Sequence, residues 1–134
     1  MNTANIQFTL QDIYEIHAQL ESAFVLSPGV RDENLLASAV YTPFQTFMGN
    51  DLYPSIYDKA AQLCYGLANN HPFTDGNKRT ALHSMYVYLI INGFDITATQ
   101  QDVENMIIDV ASGNMTNTEL VQWLQENTVE IDAN

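Results

Sequence analysis

Positive charge is what this chain has least of. Its 134 residues include four Lys and Arg against sixteen Asp and Glu, a formal net charge of −12. Such acidity repels phosphate backbones and anionic headgroups, which disfavours bulk nucleic-acid binding and attachment to an acidic membrane surface. Cysteine is almost missing. Cys64 stands alone, which rules out an internal disulfide and fits a reducing cytoplasm. Long apolar runs are missing too: the longest, Met85 to Ile91, is interrupted by tyrosines and is too short to cross a bilayer. Met1 to Asn5 has neither a basic head nor an apolar stretch, so no signal peptide is expected there. Repeats, low-complexity tracts and linkers are also lacking. The apolar share of 46% argues against disorder, and the length suits one domain, 1–134, able to bury a core without staples.

What is present reads as successive helices. Thr9-Leu10-Gln11-Asp12 is a capping box, and Leu10, Ile13, Ile16 or His17, Leu20 and Phe24 follow at helical spacing. Ser27-Pro28-Gly29 ends that helix. A short second helix fits Asp32 to Tyr41, with Leu35, Leu36 and Ala39 inward. Residues 42–54 differ: two prolines bracket them, Gly49-Asn50 is turn material, and Phe44, Thr46 and Phe47 suit extended backbone. A loop or small hairpin is expected. Ser55 caps a third helix reaching Asn69, which Asn69-Asn70-His71-Pro72 ends. The fourth, from Gly76 to Ile91, is apolar nearly all round and is expected at the centre. Phe94 to Ile96 is a brief extended link. Thr99-x-x-Asp102 and Thr116-x-x-Glu119 open the fifth and sixth helices, and Val129 to Asn134 is expected to fray. The sum is an all-α domain of about six helices around a central one.

The segment from His71 to Arg79 stands apart as polar and tight, and it feeds straight into the central helix. Gly76 and Asn77 can take turn angles closed to most residues. Free N–H groups at a helix start, with the partial positive charge of the dipole, form an anion site, and phosphate is the usual anion. Lys78 and Arg79 place half of the chain's cations there. Asp75 is a hard oxygen donor suited to Mg²⁺ that also touches a phosphate. His71 is a base able to be neutral near pH 7. Base, metal ligand and phosphate cradle together suit phosphoryl or nucleotidyl transfer. Each residue also has a plainer reading. Asp75 serves equally as the helix N-cap, His71 as a loop histidine bonded to a carbonyl, and Lys78 and Arg79 as solvated charges. Phe73 reads as a core anchor and Pro72 as a loop brace. A Walker A loop is excluded, because His71 occupies the place of its first glycine. A zinc site built on His71 and His83 lacks further ligands.

His71-Pro72-Phe73-Thr74-Asp75-Gly76-Asn77-Lys78-Arg79 resembles the signature of the Fic/Doc superfamily, His-x-Phe-x-(Asp/Glu)-(Gly/Ala)-Asn-(Gly/Lys)-Arg. The helix order on both sides is similar as well. Lys78 places the chain nearer the Doc (death-on-curing) branch; Fic AMP-transferases usually have Gly there and a second Arg where Leu82 stands. A glycine leaves room for a nucleotide's α-phosphate, whereas a lysine fills that space and adds charge. The resemblance implies a toxin kinase that passes the terminal phosphate of ATP or another nucleoside triphosphate to a protein hydroxyl. The family precedent is a threonine of elongation factor Tu. It implies His71 as general base, Asp75 as the Mg²⁺ ligand, Gly76 and Asn77 as phosphate-binding backbone, and Lys78 and Arg79 as neutralisers of phosphate charge. His83 stands where Doc proteins commonly have Asn. It reads either as a phosphate donor on the Arg79 face or as a satisfied core histidine.

The family also uses a flap before the signature helix to hold its target as an added strand. Phe44, Phe47 and Met48 would then dock the target; the plainer reading tucks these aromatics onto the core. Self-inhibited Fic proteins carry (Ser/Thr)-x-x-x-Glu-(Gly/Asn). Here Glu33-Asn34, Glu104-Asn105 and Glu126-Asn127 are preceded, four residues before each Glu, by Gly29, Gln100 and Gln122. Restraint is therefore expected in trans, from a Phd-type antitoxin whose segment bears Lys or Arg, in the cytoplasm. The competing readings are an AMP-transferase and a non-catalytic binding module of the same fold.

Overall fold

Side-chain caps start five of the six helices in the computed structural model, which describes residues 6–131. The expectations for Met1 to Asn5 and for residues 132–134 lie outside that span. Thr9 and Asp12 close a capping box on α1, Leu10–Phe24. Asp32 accepts from two N–H groups at the start of α2, Glu33–Tyr41. Ser55 and Asp58 box α3, Ile56–Asn70. α4 is Asn77–Ile91. Thr99 caps α5, Gln100–Ser112, and Thr116 with Glu119 boxes α6, Asn117–Glu126. Each cap satisfies an N–H that the helix itself leaves open.

The core lies along two helices rather than one. α4 buries Ala81, Met85, Tyr88 and Leu89, as its apolar character predicts. α3 buries as much: Ala60, Ala61, Leu63, Cys64 and Leu67 are sealed between α4 and the flanking α2, α5 and α6. Gly66 is what lets α2 approach, since a Cβ there would sit 3.2 Å from Ala39 Cβ. Among the described residues no helix is long and apolar enough to cross a membrane.

Residues 42–54 form the small hairpin rather than a plain loop. A 3₁₀ turn at Thr42–Phe44 leads into β1, Thr46–Phe47, which pairs antiparallel with β2, Asn50–Asp51. Met48 (φ 52°) and Gly49 (φ 83°) make the left-handed two-residue turn. The C-terminal expectation is corrected. Phe94–Ile96 is β3, and β4, Thr128–Glu130, takes in Val129 and Glu130, both expected to fray; it runs antiparallel to β3 with Ile96 opposite Thr128. Ile131 N–H donates to Gly93 C=O at 2.7 Å, closing the end of this ladder. Two small ladders thus join a bundle expected to have no convincing sheet.

Candidate active site

The sequence sets a turn between α3 and α4, and the fold ties that turn down from outside. His71 ends α3 in the left-handed region (φ 49°, ψ 53°), a conformation costing a non-glycine residue about 1–2 kcal/mol. Arg31 holds it there. Its Nε donates to His71 C=O at 2.8 Å and its guanidinium nitrogen to Asn70 C=O at 3.1 Å. The backbone N–H of Arg31 donates to Pro72 C=O at 2.7 Å. Val30 and Phe73 form an antiparallel bridge, and Thr74 N–H donates to Gly29 C=O. Phe73 is buried, as its reading as a core anchor requires. The imidazole of His71 is exposed.

A second histidine fixes the other half of the turn. His17, 3% exposed, lies parallel to the Phe73 ring at 3.8 Å. Its Nε2 is 2.9 Å from Asp75 C=O and its Nδ1 is 2.8 Å from Glu21 Oε2. Both ring nitrogens thus face an oxygen atom, one on the turn and one on α1. Asn77 clips the turn from inside: its Oδ1 accepts from Phe73 N–H at 2.9 Å and its Nδ2 donates to Phe73 C=O at 3.0 Å. The Asn77 side chain is thereby committed to the loop, and only its backbone faces the role expected of it.

Asp75 is not the N-cap. That position is Gly76 in the left-handed region (φ 77°), with no side-chain cap. The exposed Asp75 carboxylate accepts from Gly76 N–H at 2.8 Å through Oδ1 and from Ser27 N–H at 3.1 Å through Oδ2. A carboxylate has about four lone-pair sites, so each oxygen retains room for a further partner. The donor type fits Mg²⁺ shared with phosphate oxygens and water. Among the described residues no three His, Cys, Asp or Glu side chains gather into a closed cage.

α4 therefore begins with bare N–H groups, and it alone of the six helices has no acidic residue in its first turn. Exposed Lys78 and Arg79 occupy that turn. Both line an open groove of about 860 Å³ with Phe24, Leu82, His83 and Tyr86. The Arg79 guanidinium lies 3.9 Å above the centre of the Phe24 ring, a cation–π contact. His83 is exposed on the groove, so it is not the core histidine of the plainer reading. His71 and Asp75 do not line the groove. The predicted residues thus fall into two adjoining halves: a clamped turn with His71, Asp75 and Gly76, and a groove with Lys78, Arg79 and His83.

On the hairpin, Phe47 and Met48 are exposed, 65% and 85%. Phe44 is half-buried with its ring 5.7 Å from Tyr88, so it belongs to the anchor and not to the display. Burial pushes the Cys64 thiol up to about 12, which leaves it unreactive. Burial first, and then the Asp51 charge, push Tyr88 up to about 12. Its hydroxyl donates to Ile6 C=O at 3.0 Å.

Together these features define a helical protein in which a clamped turn leads into one helix start without a side-chain cap. The sequence model of the Fic/DOC family matches residues 7–89, which take in the turn and nearly all of α4. The toxin Doc of Mycolicibacterium smegmatis is 49% identical over 69 residues, 52% of this chain and 53% of that protein. The chain thus aligns with about half the length of this curated relative. It belongs to the Fic/DOC family.

Proposed function

We propose that this protein is a Doc-like toxin kinase of the cytoplasm, acting on a hydroxyl side chain of a protein such as elongation factor Tu and restrained by a Phd-type antitoxin. The observation that carries the reading is the start of α4: uncapped, free of acid in its first turn, and bearing Lys78 where an AMP-transferase would need space for an α-phosphate. In a chain of net charge −12, this is where a polyphosphate meets positive potential.

His71 takes the proton of the target hydroxyl. The hydroxyl oxygen bonds to the γ-phosphorus, and the bond from that phosphorus to the β,γ-bridging oxygen breaks. The nucleoside diphosphate leaves with the electron pair. Asp75 would hold Mg²⁺, which neutralises phosphate charge when bound. Gly76 and the Asn77 backbone receive phosphate oxygens, and Lys78, Arg79 and His83 offset the remaining charge from the groove side. The transition state is loose, so positioning and charge outweigh proton removal; the base contributes ~10²–10⁴-fold.

Intact-mass analysis of elongation factor Tu after incubation with ATP, Mg²⁺ and the protein tests this. One phosphate increment supports the kinase. A nucleoside-monophosphate increment selects an AMP-transferase, and nucleotide binding without modification selects a binding module.

A further inference from the structure

We infer that Lys59 is a positioning residue that pins the β1–β2 hairpin as a pre-set strand edge. The inference rests on the reading of this hairpin as the target-docking flap.

Lys59 is only 4% exposed, in the first turn of α3 beside Ala60 and Ala61. A lysine so deep requires partners. Its ammonium has three protons, and three oxygens take them. Asp51 Oδ2 lies at 3.0 Å, Pro54 C=O at 3.4 Å, and Tyr53 C=O is the third acceptor. Asp51, on β2, is the carboxylate paired with Lys59, and Tyr53 and Pro54 lie in the link that ties β2 to α3. Lifting β2 would therefore strip the buried ammonium of its one carboxylate, a state folds avoid strongly.

The outgoing arm is fastened independently, by buried Pro43 and by Phe44 against Tyr88. Leu52 N–H donates to Gln45 C=O at 3.0 Å and closes the base. Only the tip is free, and there Phe47 and Met48 are more than half exposed. A strand edge fixed at its base and apolar at its tip needs little ordering when an extended segment pairs with it. Lys59 makes no hydrogen bond to residues 71–79. Its influence should therefore fall on the protein target and not on the nucleotide.

The test compares Lys59→Met with the parent, first by hydrogen exchange without any substrate. Amides of residues 46–52 should exchange at least about tenfold faster while those of α4 keep their protection. With elongation factor Tu and ATP as probes, KM for the protein should rise about fivefold or more, while kcat and KM for ATP stay within about twofold. Asp51→Asn makes the same change from the hairpin side, with the α3 core untouched, should Lys59→Met fold poorly. Unaltered exchange in the hairpin overturns the pinning. Losses spread over the whole fold and over both KM values overturn the positioning role and leave Lys59 a structural residue. Phe47→Ser combined with Met48→Ser separates the premise: an unchanged KM for the protein would sink the docking reading, and exchange would still report on the pinning.

Discussion

Replacing His17 by Phe asks whether one hydrogen bond across 58 positions holds the candidate site in shape. Phe keeps the ring volume and the stack on Phe73, whose planes are 6° from parallel. It removes both nitrogen contacts. The loss at Glu21 is mild, because that carboxylate is 27% exposed and still accepts from Gly29 N–H. The loss at Asp75 is not mild: its part-buried carbonyl is left without its donor, at about 1–3 kcal/mol. The expected destabilisation is about 2 kcal/mol, or roughly 6 °C in Tm for a chain of this size. His17→Ala forfeits the stack as well and should cost about 1 kcal/mol more for that alone, before any cavity. Because Asp75 then moves with its loop, affinity for ATP in the presence of Mg²⁺ should weaken about tenfold, equivalent to ~1.4 kcal/mol. Thermal melts followed by circular dichroism give the first number, and titration calorimetry the second. A His17→Phe protein melting within about 1 °C of the parent would show that this bond does not secure the turn.

Three further outcomes follow from the same geometry. His71→Asn removes the base but keeps a residue that tolerates the left-handed region; transfer to the target should fall ~10²–10⁴-fold with the Tm unchanged, and a variant retaining parental turnover by mass spectrometry removes His71 from the chemistry. Gly76→Ala sets a Cβ 2.4 Å from Leu26 Cδ1 at φ 77°; the conformation and the displaced leucine together should cost about 2–3 kcal/mol in urea unfolding, and an unshifted midpoint refutes the need for glycine. Cys64, raised from 9.0 to about 12, and Tyr88, raised from 10.0 to about 12, keep protons in the folded protein that the unfolded chain releases. Their contribution is whole below the unfolded values and is lost as pH rises toward the folded ones, at about 1.4 kcal/mol per pH unit for each group. Between pH 9 and 10 Cys64 gives the larger part of this difference, since the unfolded tyrosine is at most half ionised there, so Cys64→Ala should make the fall in unfolding free energy shallower, and a parental slope in the variant counts against burial as the cause.

Helix starts were legible because a cap is a local event. Thr9, Asp32, Ser55, Thr99 and Thr116 each satisfy N–H groups two or three residues ahead, and that spacing is visible in a one-dimensional string. The turn before α4 was legible for the same reason, since Gly76 and Asn77 act on their immediate neighbours. What escaped was long-range. β4 exists because Thr128 to Glu130 find Phe94 to Ile96, and nothing near Val129 announces a partner. His17 read only as an inward position, although its contacts are Phe73 and Asp75. Nothing in the string assigns a role to Arg31, although it clasps carbonyls 39 and 40 positions away. Lys59 read as nothing in particular beside Asp58, because the hairpin that buries it must first fold back over α3.

The placement of charge ties these findings together. Arg31 fixes the backbone that carries His71, Lys59 holds the hairpin, and Lys78 and Arg79 stand at the start of α4. Among the described residues, Lys59 with Asp51 is the one Lys or Arg paired to a carboxylate. The sixteen acids are thus hardly offset anywhere on the surface, and a polyphosphate meets repulsion over most of the molecule. Two cations and a bare helix dipole coincide only at the start of α4, where Asp95 and Glu104 also line the groove. Under the proposed function the acidity is more than a solubility device: it would sharpen binding at the start of α4 by making the rest of the surface hostile to the same ligand.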